Sequence, residues 1–258
     1  MAKICFLADA DSIHTRKWVD YFSSFNNEIY LISMRGTSYN YKDNVKLIVV
    51  KPPFKSKLSY FFIIKYIKKL IAEIKPDILH SHYATSYGLY GKISKYHPFI
   101  ISVWGSDVYQ FPKSNNLNAK LLSFILKGAD AVCSTSVDMA CETKKYYDKD
   151  DITITPFGVD IERFNIKTPV LNNEYITIGV IKNLRKIYGI EYLIKAFSDL
   201  IKETKKDIRL MIVGDGPERE NLEKLCDDLK IKSKVIFTGN IDNSKIPDYI
   251  NMMDIVCL

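Results

Sequence analysis

Short apolar runs alternate with stretches of helical period along almost the whole chain, and this alternation constrains the fold more than any other feature. It is the pattern of βαβ units building a parallel sheet covered on both faces. Strands are expected at 3–8, 28–33, 45–50, 77–80, 99–103, 130–134 and 151–155. Helices are expected over 14–25, 57–74, 83–95, 117–128 and 136–147. The continuous runs Leu47-Ile48-Val49-Val50 and Phe99-Ile100-Ile101-Ser102-Val103 suit strands covered on both sides. Pro156-Phe157-Gly158-Val159-Asp160 then breaks the pattern, and Pro169 and Asn172-Asn173 follow. The alternation restarts with strands at 175–181, 208–213, 234–238 and 254–258 and helices at 189–204, 217–230 and 244–252. Two Rossmann-like units are therefore expected, 1–164 and 165–258, facing a cleft that is the usual ligand site in such proteins. The last four residues, Ile255-Val256-Cys257-Leu258, read as a buried strand. The expectation is that the second unit is incomplete and that the function belongs to a larger protein.

Of the 258 residues, 47% are apolar and 26% charged, enough to bury a core. No run approaches the roughly 20 apolar residues of a membrane span, and charges follow the first apolar run too soon for a secretory signal. Five scattered cysteines contain no Cys-x-x-Cys, which indicates neither a disulfide framework nor a zinc site and suggests core thiols in the cytoplasm. The net charge of +7 suits an anionic partner such as a nucleotide sugar or a membrane surface, or is simply a solvated surface. It would also allow nucleic acid, but no basic-aromatic recognition motif is present, so no nucleic acid is expected.

Four segments carry chemistry. In Val213-Gly214-Asp215-Gly216-Pro217 a strand delivers two glycines and a proline at the expected helix start, where backbone can approach a phosphate. An ordinary βα turn has the same appearance. Lys182-Asn183-Leu184-Arg185-Lys186 follows the strand 175–181, and its cations could neutralise a diphosphate or form a solvated loop. Trp104-Gly105-Ser106-Asp107 closes a buried strand, with Ser106 or Asp107 capping a helix or binding a hydroxyl. His80 and His82 end another strand on one face, where His82, further out, is the better candidate to contact substrate. Two imidazoles alone do not make a metal site. Ser12 and His14 lie at the first helix start. Residues 51–74 combine Lys51, Lys55 and Lys57 with an apolar helix bearing Lys65, Lys68 and Lys69, which suits a peripheral contact with anionic lipid or a core helix with wet lysines.

Taken together these motifs resemble glycosyltransferase family 4, retaining enzymes of the GT-B fold, over essentially the whole chain. The matches are Gly214-Asp215-Gly216-Pro217, Val235 to Gly239, Asp254-Ile255-Val256, Gly158-Val159-Asp160 to Phe164, Asp77 to His82, and Gly105-Ser106-Asp107. Ser12 to Trp18 and Trp104 to Tyr109 look like bacterial members that build surface polysaccharides. The resemblance implies transfer of a sugar from a nucleotide-diphosphate sugar to a saccharide or lipid-linked acceptor, at the inner face of the membrane, with no cofactor and no obligatory metal. It implies donor contacts from Lys182, Asn183, Arg185, Lys186, Gly214, Asp215, Gly216, Gly239, Asn240 and Ile241 in the second unit. On the acceptor side it implies Ser12, His14, His82, Trp104, Gly105, Ser106 and Asp107.

The sequence also departs from the family pattern. The Arg and Lys that many members carry five apart are Asn183 and Tyr188 here. The histidine that often precedes Gly-Ser/Thr-Asp is Trp104, and the first loop, Asp9 to Thr15, has no glycine. The family's paired glutamates would begin beyond Leu258, so little or no transfer is expected of these residues alone. Two other readings stay open: a GT-B epimerase or phosphorylase, and a non-catalytic sugar-nucleotide-binding or assembly protein.

Overall fold

The computed structural model describes residues 1–51, 59–149, 151–166 and 175–258. By backbone proximity the chain divides into Met1–Gly158 and Val159–Leu258. The segment after Gly158 thus goes with the second unit, whereas 1–164 was the expected first unit. Its side chains explain why: the Arg163 guanidinium donates to Oδ1 of Asn243 at 2.8 Å, and Asn251 Nδ2 donates to the Asn165 carbonyl at 3.1 Å.

In the first unit the strands are β1 (Lys3–Leu7), β2 (Glu28–Ser33), β3 (Val45–Val49), β4 (Ile78–His82), β5 (Phe99–Val103), β6 (Ala131–Ser134) and β7 (Ile152–Ile154). The helices are α1 (Ile13–Ser24), α2 (Ser59–Ile74), α3 (Ser86–Ser94), α4 (Ser106–Tyr109), α5 (Asn116–Leu126) and α6 (Val137–Thr143). The strands form one parallel sheet in the order β3-β2-β1-β4-β5-β6-β7. Strand alternation sorts β1 between two cores. Ile4 and Phe6 join Val19 of α1 and Leu31, while Cys5 and Leu7 join Ile63, Ile67 and Ile71 of α2 and Ile125 of α5. The strand order reverses between β1 and β4, and ligand crevices in open α/β sheets form outside the carboxyl ends at such a reversal.

β3 is the sheet edge among the described residues and is mostly half-buried, yet both its faces are covered: Val45 and Leu47 pack on the core that holds Phe6, and Ile48 and Val50 on the one that holds Leu7. A continuous apolar run does not distinguish an edge from a centre. The central β5 likewise meets the expectation of double cover, with Phe99, Ile101 and Val103 buried on one face and Ser102 buried on the other. The cysteines are also not all core thiols in strands: Cys141 is exposed on α6, and the buried Cys226 lies on a helix of the second unit.

On α2 the buried Ile63, Ile67, Ile71 and Ile74 follow helical spacing, and Lys65, Lys68 and Lys69 are exposed. Residues 52–58 of the basic segment lie outside the described residues. Among those described, no helix is long and apolar enough to cross a membrane.

The second unit contains β8 (Ile176–Ile181), β9 (Ile208–Val213), β10 (Val235–Gly239) and β11 (Ile255–Cys257), with α7 (Ile190–Glu203), α8 (Arg219–Asp228) and α9 (Ile246–Asn251). Its sheet is parallel in the order β10-β9-β8-β11, so the order reverses at β8. Ile190, Ile194 and Phe197 put one stripe of α7 onto Val180, Leu210 and Ile212, and Leu222 and Cys226 of α8 complete the core. The helix after Gly216 begins at Arg219, not at Pro217. Pro217 and Glu218 form a turn, and the Glu218 N–H is drawn outward to the Leu184 carbonyl at 3.0 Å.

Candidate functional site

In the second unit the loops after β8 and β9 lie against each other backbone to backbone. Lys182 N–H donates to the Val213 carbonyl at 3.0 Å, and Leu184 N–H to the Asp215 carbonyl at 3.0 Å. Gly214 N–H in turn donates to the Gly239 carbonyl at 3.0 Å, which joins the end of β10 to the same layer. A Cβ on Gly214 would sit 2.0 Å from the Lys182 carbonyl oxygen, and one on Gly216 would sit 2.5 Å from that of Leu184. The expected reason for these glycines was close approach to a ligand. Here the close approach is to the chain's own 182–184 loop, and the glycines set that loop's position.

The loops border an open cavity of about 190 Å³ at the carboxyl ends of β8, β9 and β10. Its lining includes Lys182, Asn183, Gly214, Asp215, Asn240 and Ile241, all expected donor contacts. Ile181, Val213 and Ile246 supply the apolar part, which went unread because it looks like ordinary strand and helix core. Gly216 and Gly239 support the loops, as just described.

Arg185 and Lys186 are placed elsewhere. They line a separate groove of about 330 Å³ along α7 and α8, with Glu191, Lys195, Glu218, Lys224 and Asp228. That groove is larger, but its charges of both signs lie along helix flanks and not at strand ends. The four donor-loop positions therefore divide, with Lys182 and Asn183 at one cavity and Arg185 and Lys186 at the other.

Arg219 is a residue that the sequence reading missed. Its guanidinium meets Asp215 at 3.0 Å and Glu223 at 2.8 Å. The spacing of four residues on either side of Arg219 was the available signal. Through this pair the Asp215 carboxylate is neutralised where it borders the cavity.

In the first unit an aromatic cluster gathers at the carboxyl ends of β4 and β5. His14 stacks on Phe157 with centroids 3.7 Å apart, and Trp104 meets His82 at 4.7 Å and Phe157 at 5.5 Å. Phe6 and Trp18 flank His82 at 5.1 and 5.5 Å. Phe157 was read only as part of a turn, and its contact with a residue so distant in sequence left no local signal. His80 and His82 do share a face, with rings 4.7 Å apart, and His80 Nε2 pairs with Ser102 Oγ at 2.8 Å. However, His82 is no outer group: it is 1% exposed, because Trp104 packs against it. Neither of its ring nitrogens has a hydrogen-bond partner, and His14 Nδ1 and Trp104 Nε1 are likewise buried and unpaired. Such unpaired buried groups cost stability and gather where a ligand or water completes them.

Asp107 and Ser106 separate in role. Asp107 is fully buried and accepts from the N–H groups of Ala84 at 2.9 Å, Trp104 at 3.1 Å and Gly105 at 2.8 Å. Burial pushes its carboxyl pKa up, and those donors offset only part of that rise. These bonds tie the loops after β4 and β5 together. Ser106 is exposed and hydrogen-bonds to the Tyr83 hydroxyl. Ser12 precedes α1 without a side-chain cap bond and is half-exposed. Among the described residues, no three His, Cys, Asp or Glu side chains are grouped as a metal site would require.

A family model described as glycosyl transferase 4-like matches residues 3–136, more than half of the sequence. The chain belongs to the glycosyl transferase 4-like family. A second model, glycosyl transferases group 1, matches residues 161–258. N-acetyl-alpha-D-glucosaminyl L-malate synthase of Bacillus anthracis is 28% identical over 196 residues, covering 70% of this chain and 50% of the relative. Alpha-monoglucosyldiacylglycerol synthase of Acholeplasma laidlawii is 23% identical over 266 residues, covering 90% of this chain and 66% of the relative. The chain thus spans only half to two thirds of the length of these curated relatives. Among solved structures, Anabaena HepE in complex with UDP has a TM-score of 0.78 at 14% identity, covering 98% of this chain and 73% of that one. A glycosyltransferase from Rickettsia africae has a TM-score of 0.78 at 20% identity, covering 99% and 72%. At such identities the likeness shows the fold alone, the paired Rossmann-like sheets of GT-B proteins.

The buried histidines give this chain a defined pH response. Burial holds the His80 pKa down to about 3, and burial with the neighbouring His80 and His14 holds that of His82 well below 6.5. Both are neutral when folded at pH 7, but the unfolded chain protonates them near pH 6.5. Stability is therefore complete above that pH and falls below it, by about 1.4 kcal/mol per pH unit for each group. Denaturant unfolding of the first unit at pH 7.0, 6.0 and 5.5 should show the decline, and His82→Phe should remove about half of its slope. A stability that stays flat from pH 7 to 5.5 would contradict the assignment of two neutral buried imidazoles.

Proposed function

We propose that the second unit binds the nucleoside diphosphate part of a sugar donor, and that the whole protein transfers the sugar with retention to a hydroxyl of a saccharide or lipid-linked acceptor. The observation that carries this reading is the convergence of Lys182, Asn183, Gly214, Asp215, Asn240 and Ile241 on one cavity at the strand ends. An open parallel sheet binds its ligand there. The structural neighbour HepE holds UDP, and the curated relatives are named as synthases of sugar conjugates, one of them of a monoglucosyldiacylglycerol.

In the proposed reaction the bond from the anomeric carbon to the diphosphate breaks and a bond to the acceptor oxygen forms. The acceptor proton is lost and the nucleoside diphosphate departs. Negative charge grows on the diphosphate as the sugar becomes oxocarbenium-like, and a fixed cation there lowers the barrier. The first unit's share is the acceptor side, where His14, Trp104 and the exposed Ser106 border the aromatic cluster. The lysines of α2 are the surface proposed to meet an anionic bilayer carrying that acceptor.

The test is calorimetry of the purified chain against UDP, GDP, ADP and their glucose and N-acetylglucosamine derivatives. One nucleoside diphosphate family should bind in preference to the others, and the whole protein should then release that diphosphate from its sugar when a lipid or saccharide acceptor is added. Absence of binding to every member of the panel would remove the reading.

A further inference from the structure

The cavity at the strand ends holds an uncompensated positive charge. Lys182 is exposed, lines the cavity and makes no ion pair among the described residues. The other cation nearby, Arg219, is taken up by Asp215 and Glu223. Asp215, the acid in the lining, is in the same way taken up by Arg219. Lys182 is therefore the charge that an anionic ligand entering this cavity meets.

Its side chain is also not left to wander. The Lys182 ammonium lies over the Tyr188 ring, 5.1 Å from its centroid. Tyr188 ends a short 3-10 turn, Lys186–Tyr188, in which its N–H donates to the Arg185 carbonyl at 3.0 Å. A ring face attracts an ammonium through its quadrupole, and it does so without hydrogen-bonding the three N–H groups that a phosphate would use. A carboxylate at residue 188 would have occupied those donors and cancelled the charge.

From this geometry we infer that Lys182 is the residue that contacts the donor's diphosphate, and that Tyr188 is a positioning residue that holds its ammonium at the cavity. The inference rests on the donor-site reading above and deepens it. It places the cation one residue before Asn183, and it gives Tyr188 the work of aiming a charge instead of carrying one. It also separates Lys182 from Arg185 and Lys186, which line the other groove.

The test compares a nucleoside diphosphate with its parent nucleoside, so that loss of phosphate recognition is read apart from loss of the pocket. Lys182→Ala should weaken the preferred nucleoside diphosphate by roughly 10- to 100-fold, the scale of one lost charge-assisted hydrogen bond. It should leave binding of the nucleoside unchanged, because that ligand has nothing for the ammonium to meet. Lys182→Arg should retain most of the affinity. Tyr188→Phe keeps the ring face and should behave as wild type, while Tyr188→Leu should weaken the diphosphate alone by about two- to fivefold. Both positions of change are exposed side chains, and an unaltered thermal unfolding midpoint checks that the chain stays folded.

If the wild type binds a nucleoside diphosphate and Lys182→Ala binds it equally well, the inference is overturned while the donor-site reading stands. If Arg185→Ala or Lys186→Ala produces the larger loss, the other groove holds the phosphates and Lys182 is misassigned. If the wild type binds none of the diphosphates, the donor-site reading falls and this inference falls with it.

Discussion

Replacing Asp107 with Ala should lower the stability of the first unit by on the order of 3–5 kcal/mol. The side chain is fully buried, and its two oxygens accept from three backbone N–H groups, on Ala84, Trp104 and Gly105. Those donors belong to the loops that follow β4 and β5. Without the carboxylate they lose their partners in a place that water reaches poorly, at about 1–3 kcal/mol for each group left unpaired. The sum is less than additive because the loops can relax. Asp107→Asn keeps one side-chain oxygen as an acceptor and should cost roughly half as much. Denaturant unfolding with a probe in the first unit, Trp18 or Trp104 fluorescence, measures both. A loss below about 1 kcal/mol for the Ala variant would show that Asp107 is not the tie between these loops.

The second large effect is at Gly214. Its φ of +137° is strained for any L side chain, and an added Cβ would lie 2.0 Å from the Lys182 carbonyl oxygen, a backbone atom that cannot rotate away. Gly214→Ala must therefore separate the loop after β9 from the loop after β8. The expected result is a loss of about 3 kcal/mol or more in the second unit, together with at least a tenfold loss of nucleoside diphosphate affinity, since Lys182 and Asn183 move with their loop. Gly36→Ala is the matched control. A Cβ there meets nothing within 4 Å, and the change should be close to neutral. If Gly214→Ala folds and binds as the wild type does, the backbone contact between the two loops is not what sets the site.

Much of this was legible in the sequence, and the particular misses are instructive. Period alone marked the strands and helices, because a parallel sheet covered by helices writes its alternation directly into the chain. It could not say that the apolar run at 47–50 lies at the sheet edge, since an edge strand packed on both faces selects the same residue types as a central one. The glycines at 214 and 216 were recognised as a place where backbone approaches something closely, but not that this was the 182–184 loop. Likewise, the basic run at 182–186 carried no sign that Lys182 would part from Arg185 and Lys186, because that division depends on how the chain turns through Leu184, which is fully buried. The stacking of His14 on Phe157 required the fold itself. By contrast, the Asp215-Arg219-Glu223 spacing was there to be read.

The most direct test is to label the chain with nitrogen-15 and titrate it with the nucleoside diphosphate that calorimetry selects. The expected result is that the amide signals of Lys182, Asn183, Gly214, Asp215, Asn240 and Ile241 shift together along one binding curve, while those of Glu191, Asn221 and Lys224 stay in place. Shifts confined to that second set, or no saturable shift in either, would contradict a donor site at the ends of β8, β9 and β10.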